Sequence, residues 1–269
     1  MSQYTQPKNI FVDQIDVENY IEIASAQKAY DQLRHSIDKS LKMALLFGRP
    51  GTGKSLLLNR IYRDLKEQYE LYLFETPSLS GDEFFRKLFR VLTHQELPPD
   101  AQVRFDTFVA YLKSIKGTRS IIVLVDEAQM YPKEVLEQIR LLSDTGAIKF
   151  IISLHKTEDE DLVAKEHFQS RIWEVVELKN ASRDELKTYI HKKLLQENEY
   201  EMANQIRDKH VKFIYRCTQG NYRETNKMLY TLYEIYEYYD RHNPSMIDHR
   251  SLSKKILEMT ALKLGYIHV

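Results

Sequence analysis

One cysteine, Cys217, is all the thiol this 269-residue chain contains. It cannot close an internal disulfide, which fits a reducing compartment. No metal-ligand spacing surrounds it, so Cys217 is expected in a helix core rather than in a site. An excess of charge of one sign is also missing, because Lys+Arg and Asp+Glu both number 39. No global basic field announces nucleic acid, although a local basic face is compatible with the balance. Long apolar runs are missing too, and none approaches the roughly 20 residues that span a bilayer. The opening "MSQYTQPKNIF" lacks the basic cap and apolar core of a signal peptide. The expectation is a soluble, cytoplasmic protein without direct membrane insertion, any inner-membrane association being peripheral and through a partner. Internal repeats and low-complexity segments are absent. At 43% hydrophobic and 29% charged residues, disorder is excluded and one large or two ordinary cores can be buried.

What is present is a pattern that changes once. Up to about residue 180, short apolar runs alternate with amphipathic stretches. "MALLF" (43–47), "LYLF" (71–74), "SIIVLVD" (120–126), "IKFIISL" (148–154) and "IWEVVEL" (172–178) read as strands, most of them buried on both faces. "SGDEFFRKLFRVLTH" has Ser80 as an N-cap and Phe84, Leu88 and Val91 on one face. "AQVRFDTFVAYLKSI" follows the "ELPPD" break, and "YPKEVLEQIRLLSD" carries Pro132 near a helix start. Such alternation predicts a parallel, doubly wound α/β sheet. Beyond residue 180 the strand signal stops. "ASRDELKTYIHKKLLQE", "DKHVKFIYRCT", "YRETNKMLYTLYEIYEYY" and "DHRSLSKKILEMTAL" read as helices, separated by turns at "TQGN" and "RHNPS". The tyrosines between Tyr230 and Tyr239 recur at helical spacing, which favours core and partner packing over base stacking.

Between the first strand and the next helix lies "GRPGTGKS". Gly48, Gly53, Lys54 and Ser55 fit the spacing Gly-x-x-x-x-Gly-Lys-[Ser/Thr] in the strand–turn–helix setting that gives it meaning. Glycines let the backbone wrap phosphate oxygens with consecutive N–H groups turned inward, and the helix N-terminus adds partial positive charge. Lys54 would reach the β- and γ-phosphates, and the Ser55 hydroxyl would ligate Mg2+. The candidate nucleotide contacts are Gly48, Arg49, Pro50, Gly51, Thr52, Gly53, Lys54, Ser55 and Leu56.

A second signal is "SIIVLVDEAQ", a buried strand ending in two acids. Asp126 is placed to hold Mg2+, and Glu127 to polarise the water that attacks the γ-phosphate. An isolated Asp-Glu is often only a solvated turn; about 70 residues after a phosphate loop it points to ATP hydrolysis.

With "GRPGTGKS", "VLVDEAQ", "EVLEQIRLLSD", "QSRI" and "GNYRETNKML" in this order, the chain resembles AAA+ ATPases. Its spacing is most similar to the general secretion pathway A (ExeA-type) group and the related TniB/TnsC-type transposition ATPases. The resemblance spans roughly residues 10 to 260. It implies a five-stranded parallel sheet of order 5-1-4-3-2 with a C-terminal all-helical lid, and a division into residues 1–35, an N-terminal segment packing on the nucleotide site, 36–179, the α/β domain, and 180–269, the lid. It also implies a polar sensor at the end of "IKFIISLHK". Here the usual Gly-Gln-Pro of the secretion group is missing, and Ser153 and His155 are both candidates, with a capping or surface role as the alternative for each. Arg171 matches the arginine finger before the last strand, against a solvated ion pair. "GNYR" is similar to the Gly-x-Pro-Arg start of a lid helix, with Tyr222 for proline, which makes Arg223 a lid contact to the γ-phosphate. Around Ile10, Phe11 and Val12 the resemblance implies an adenine-site lining.

Two functional readings follow. In the first, nucleotide-dependent homo-oligomerisation drives assembly or remodelling of a protein client, in a secretion, pilus or DNA-uptake apparatus. In the second, an ATP-bound oligomer sits on DNA and regulates transposition or replication, a reading the zero net charge does not support. Secretion-type members often continue into a membrane span and a peptidoglycan-binding domain, and the given sequence stops after the lid, which weakens the envelope role. "HKKLL" and Lys254-Lys255 read as solvated helix faces.

Overall fold

The five apolar runs form the strands of one parallel sheet: β1 (Met43–Gly48), β2 (Glu70–Phe74), β3 (Ile121–Val125), β4 (Ile148–His155) and β5 (Ile172–Leu178). The computed structural model describes residues 2–15, 17–39, 41–98, 104–155, 168 and 170–268. Strand order is β2-β3-β4-β1-β5, the order the resemblance implies, read from the other edge. β3 and β1 are buried throughout, and β4 nearly so, as central parallel strands must be when helices cover both faces. The expectation of two-sided burial fails at the edges. β5 alternates, leaving Trp173, Val175 and Glu177 outward, and β2 is buried only at Leu71 and Phe74.

The chain divides into two compact units, Lys28–Leu178 and a helical unit made of Met1–Gln27 with Lys179–Val269. In the first, side-chain alternation sends Met43, Leu45, Val123, Val125, Phe150 and Ile152 to one face, where they pack with Phe84, Leu88, Phe108 and Ile139. These come from α4 (Gly81–Thr93), α5 (Phe105–Ile115) and α6 (Lys133–Asp144). Ala44, Leu46, Ile122, Leu124 and Ile151 face the other way, onto α2 (Ala24–Asp38) and α3 (Lys54–Leu65). Ser80 caps α4, its Oγ accepting from the Glu83 N–H at 3.2 Å. Phe84 and Leu88 are buried together with Leu92, and Val91 packs half-buried against the same core. The part of the expected α5 at 101–103 lies outside the described residues. Lys149 closes the end of α2, its ammonium donating to the carbonyls of Ser36 (3.2 Å), Ile37 and Lys39.

The helical unit holds α1 (Thr5–Ile10), α7 (Arg183–Gln196), α8 (Tyr200–Gln205), α9 (Asp208–Thr218), α10 (Tyr222–His242) and α11 (Lys254–Lys263). α1 and α8 had no helical signal in the sequence, each being six residues long, too short to show a period. Tyr233 and Tyr236 are buried against Tyr4 and Phe11 in the core of this unit. Phe11 is thus a core residue, while Val12 is exposed. α1 is fixed by Glu237 of α10, which accepts from Thr5 Oγ1 and Lys8 Nζ, each at 2.6 Å. Cys217 is half-buried on α9. At the α9–α10 turn, Gly220 has φ +75°, and a Cβ there would lie 2.0 Å from the Ala181 carbonyl oxygen. No described helix is long and apolar enough to cross a membrane.

Candidate active site

Because every strand is parallel, the residues following β1, β3 and β4 emerge at one edge of the sheet. Gly48 pairs with His155, and Val125 with Ile152, so the loop after β1 and the acids after β3 flank the end of β4. The carboxyl edge at a change in strand order is where open α/β sheets bind ligands.

Gly48 ends β1 under the last carbonyl of β5; a Cβ there would come 2.3 Å from Leu178 O, so no other residue fits. Gly51 and Gly53 take φ of 79° and 93°, turning the chain into α3. This positive-φ turn at a helix N-terminus is the backbone arrangement that makes an anion-binding nest. Lys54, 4% exposed, folds back over the loop and donates to the carbonyls of Gly48 at 2.8 Å and Arg49 at 3.2 Å. Thr52 Oγ1 donates to Arg49 O at 2.8 Å and braces the same turn. Leu57, Leu58 and Ile61 bury the inner face of α3 and fix where its first residues point.

Asp126 is likewise 4% exposed. Its Oδ1 accepts from Ser153 Oγ at 2.5 Å and from the Glu127 N–H at 2.9 Å. Ser153 is wholly buried and is committed to this bond. Strand parity explains the meeting: Ile122, Leu124 and Asp126 continue one face, and Ile151, Ser153 and His155 share that face on the neighbouring strand.

Glu127 stands at φ 51°, ψ 42°, a left-handed conformation that costs a non-glycine residue about 1 kcal/mol or more. Its Oε1 lies 2.9 Å from His155 Nε2, and its Oε2 accepts from Gln129 Nε2 at 2.5 Å. Gln129 Oε1 in turn accepts from the His155 backbone N–H at 3.2 Å. Burial first, then the Lys54 ammonium, push the His155 pKa below its ordinary value, against the pull of Glu127. The ring is therefore neutral at pH 7 and donates through Nε2–H.

Lys54, Asp126, Glu127, Ser153 and His155 are thus gathered at one edge. Both sensor candidates are engaged, Ser153 with Asp126 and His155 with Glu127. Gln129, inside the quoted "VDEAQ", was not singled out in the sequence. Its signal is faint: an amide two residues after a carboxylate at a strand end.

Arg171 is not part of this cluster. It precedes β5, whose Ile172 pairs with Met43 at the start of β1, the opposite end of the sheet. There its guanidinium donates to both carboxylate oxygens of Asp144, at 3.0 and 3.3 Å. Lys42 reaches the same carboxylate at 3.2 Å. Arg171, followed by Lys42, holds the Asp144 carboxyl below the usual carboxylate range. Arg223 belongs to the helical unit, where its Nε donates to Asp13 at 2.9 Å in an exposed pair.

The residues present suit Mg2+. Asp126 Oδ2 and the Ser55 hydroxyl accept or donate no hydrogen bond among the described residues, leaving two hard oxygen ligands free beside the loop. No group of three or more His, Cys, Asp or Glu forms an all-protein cage among those residues. A cation that keeps waters and phosphate oxygens and takes one or two protein ligands matches that donor set.

A family model described as an AAA domain matches residues 37–161. No curated protein sequence matches the chain. Among solved structures, Cdc6p from Pyrobaculum aerophilum is similar with a TM-score of 0.63 and 13% identity, over 95% of this chain and 70% of that one. The ORC2 protein of Aeropyrum pernix, in ADPNP–ADP complexes, gives 0.60 and 15%, over 95% and 71%. Drosophila ORC bound to DNA gives 0.55 and 13%, over 89% and 65%. At these identities the likeness is one of fold, that of AAA+ P-loop NTPases.

Proposed function

We propose that this chain binds ATP with Mg2+ and hydrolyses it to ADP and phosphate. The observation that carries the reading is the convergence of Lys54, Asp126 and Glu127 at the carboxyl edge of the sheet, with no hydrogen bond to Asp126 Oδ2 among the described residues. Lys54 would exchange its two loop carbonyls for the β- and γ-phosphate oxygens, gaining charge-assisted bonds. Ser55 and Asp126 would hold Mg2+, which would supply positive charge against the negative charge of the phosphates. Ser153, bonded to Asp126 Oδ1, would keep the other oxygen of that carboxylate available to the ion. Glu127 would accept a proton from the attacking water.

The test uses Lys54→Ala and Glu127→Gln. Lys54→Ala should lose binding of a fluorescent ATP analogue. Glu127→Gln should bind Mg-ATP normally and turn over at least about 10²-fold more slowly, since an amide cannot act as a base. Wild-type turnover in Glu127→Gln, or undiminished affinity in Lys54→Ala, overturns the assignment.

Arg171 would complete the site of a neighbouring subunit in a homo-oligomer, and Arg223 would contact the γ-phosphate from the helical lid. Hydrolysis in such an oligomer would drive the assembly or remodelling of a protein client. A DNA-associated regulator is the second reading. Drosophila ORC, which shares the fold, is bound to DNA in its structure. Lys209, Lys212 and Arg216 also line one exposed face of α9, with no ion pair to an acid among the described residues. ATPase rates with and without duplex DNA, with a salt titration of binding, separate the two. Stimulation with a steep salt slope favours the regulator, and no binding at low salt removes it.

A further inference from the structure

Glu127 needs more than a position in the chain to act as a base; its carboxylate must be aimed. A glutamate side chain has three rotatable torsions, and the left-handed backbone of Glu127 restricts the first without fixing where the carboxylate points. The selection comes from a closed ring of three residues. Glu127 Oε2 accepts from Gln129 Nε2 at 2.5 Å, Gln129 Oε1 accepts from the His155 N–H at 3.2 Å, and His155 Nε2 donates to Glu127 Oε1 at 2.9 Å. Gln129 uses both ends of its amide, so it joins the carboxylate to the backbone of β4. That strand lies between the ones bearing the phosphate loop and the acids.

We infer that Gln129 is a positioning residue for hydrolysis: its amide bridges the Glu127 carboxylate to the end of β4 and fixes the direction in which Glu127 faces the attacking water. The inference rests on the reading of Glu127 as the base. Each carboxylate oxygen can accept more than one hydrogen bond, so both donors leave room for a water. The two sensor candidates divide the work. Ser153 holds Asp126, the residue that would carry Mg2+, while His155 and Gln129 hold Glu127, which would act as the base.

The test measures steady-state ATP turnover and analogue affinity for Gln129→Met and Gln129→Ala, each also in a Glu127→Gln background. Met keeps the bulk and removes both hydrogen bonds, and Ala is the second variant should Met misplace the turn. Loss of a hydrogen bond to a charged, reacting group corresponds to a fall in kcat of between about 10- and 100-fold. Analogue affinity should stay at its wild-type value, because Gln129 hydrogen-bonds to Glu127 and His155 and to no residue of the phosphate loop among the described residues. In the Glu127→Gln background either change at Gln129 should add nothing, since both act through one carboxylate. A kcat within about twofold of wild type, a rise in kcat, or an equal loss added to Glu127→Gln overturns the inference. Undiminished turnover in Glu127→Gln alone overturns instead the reading of Glu127 as base, so the two failures are distinguishable.

Discussion

Arg171→Ala separates an ion pair from a catalytic contribution made across subunits. Ile172 pairs with Met43, and Gly48 lies five residues farther along the same strand. At about 3.3 Å per residue the phosphate loop is roughly 17 Å away. An extended arginine side chain reaches only about 7 Å, so Arg171 cannot touch a phosphate on its own loop without large rearrangement. Its local partner is Asp144, in an exposed cluster with Lys42, and such pairs contribute about 0–1 kcal/mol. Removing Arg171 should therefore shift the melting temperature little. If it serves a neighbour's nucleotide, hydrolysis should instead fall by about 10³–10⁵-fold, with analogue affinity unchanged. Wild-type specific activity should rise with protein concentration, followed in parallel by light scattering. Mixing inactive Arg171→Ala with inactive Lys54→Ala should restore activity, because one subunit brings an intact loop and the next an intact arginine. Constant specific activity through assembly, with no rescue in the mixture, refutes the argument and leaves Arg171 as a surface ion pair.

Ser153→Ala removes the 2.5 Å donor to Asp126 and should raise the Mg2+ concentration needed for half-maximal turnover, while Mg2+-free nucleotide binding is unchanged; a magnesium titration reads this directly. Lys149→Met leaves the carbonyls of Ser36, Ile37 and Lys39 without their shared donor and should destabilise the α/β unit by about 1–3 kcal/mol in urea unfolding. Lys8, then Thr5, hold the Glu237 carboxyl below its ordinary value, so its contribution is complete above an unfolded pKa of about 4.3 and is lost as pH falls through the lower folded value. Hydrogen exchange in α1 should then be pH-independent in protection between pH 7 and about pH 5, and protection should drop only in more acid solution. In Glu237→Gln that acid-side drop should disappear, with α1 already weakened at pH 7.

Short-range chemistry made the elements legible. Five apolar runs of strand length, a glycine-rich turn between strand and helix, and Ser80 before an amphipathic stretch each act within a few residues. The chain realises them where they are written, down to α9 at Asp208–Thr218. The strand order was available through resemblance to a family, since no single strand encodes its neighbour. Edges escaped the reading because burial on two faces depends on what flanks a strand, and β5 has β1 on one side only. The six-residue helices α1 and α8 escaped because they are held by tertiary partners, α1 by Glu237, more than 200 residues away. The same reason applies at the candidate site. Local motifs singled out Lys54, Asp126 and Glu127 as candidates and left Ser153 and His155 as alternatives. Parallel register set both side chains on one face of β4 beside the acids of β3, giving each a different partner and bringing in Gln129 as the link. Motif spacing is a property of the chain, whereas the choice of hydrogen-bond partner belongs to the sheet, because only register decides which side chains two strands bring within 3 Å.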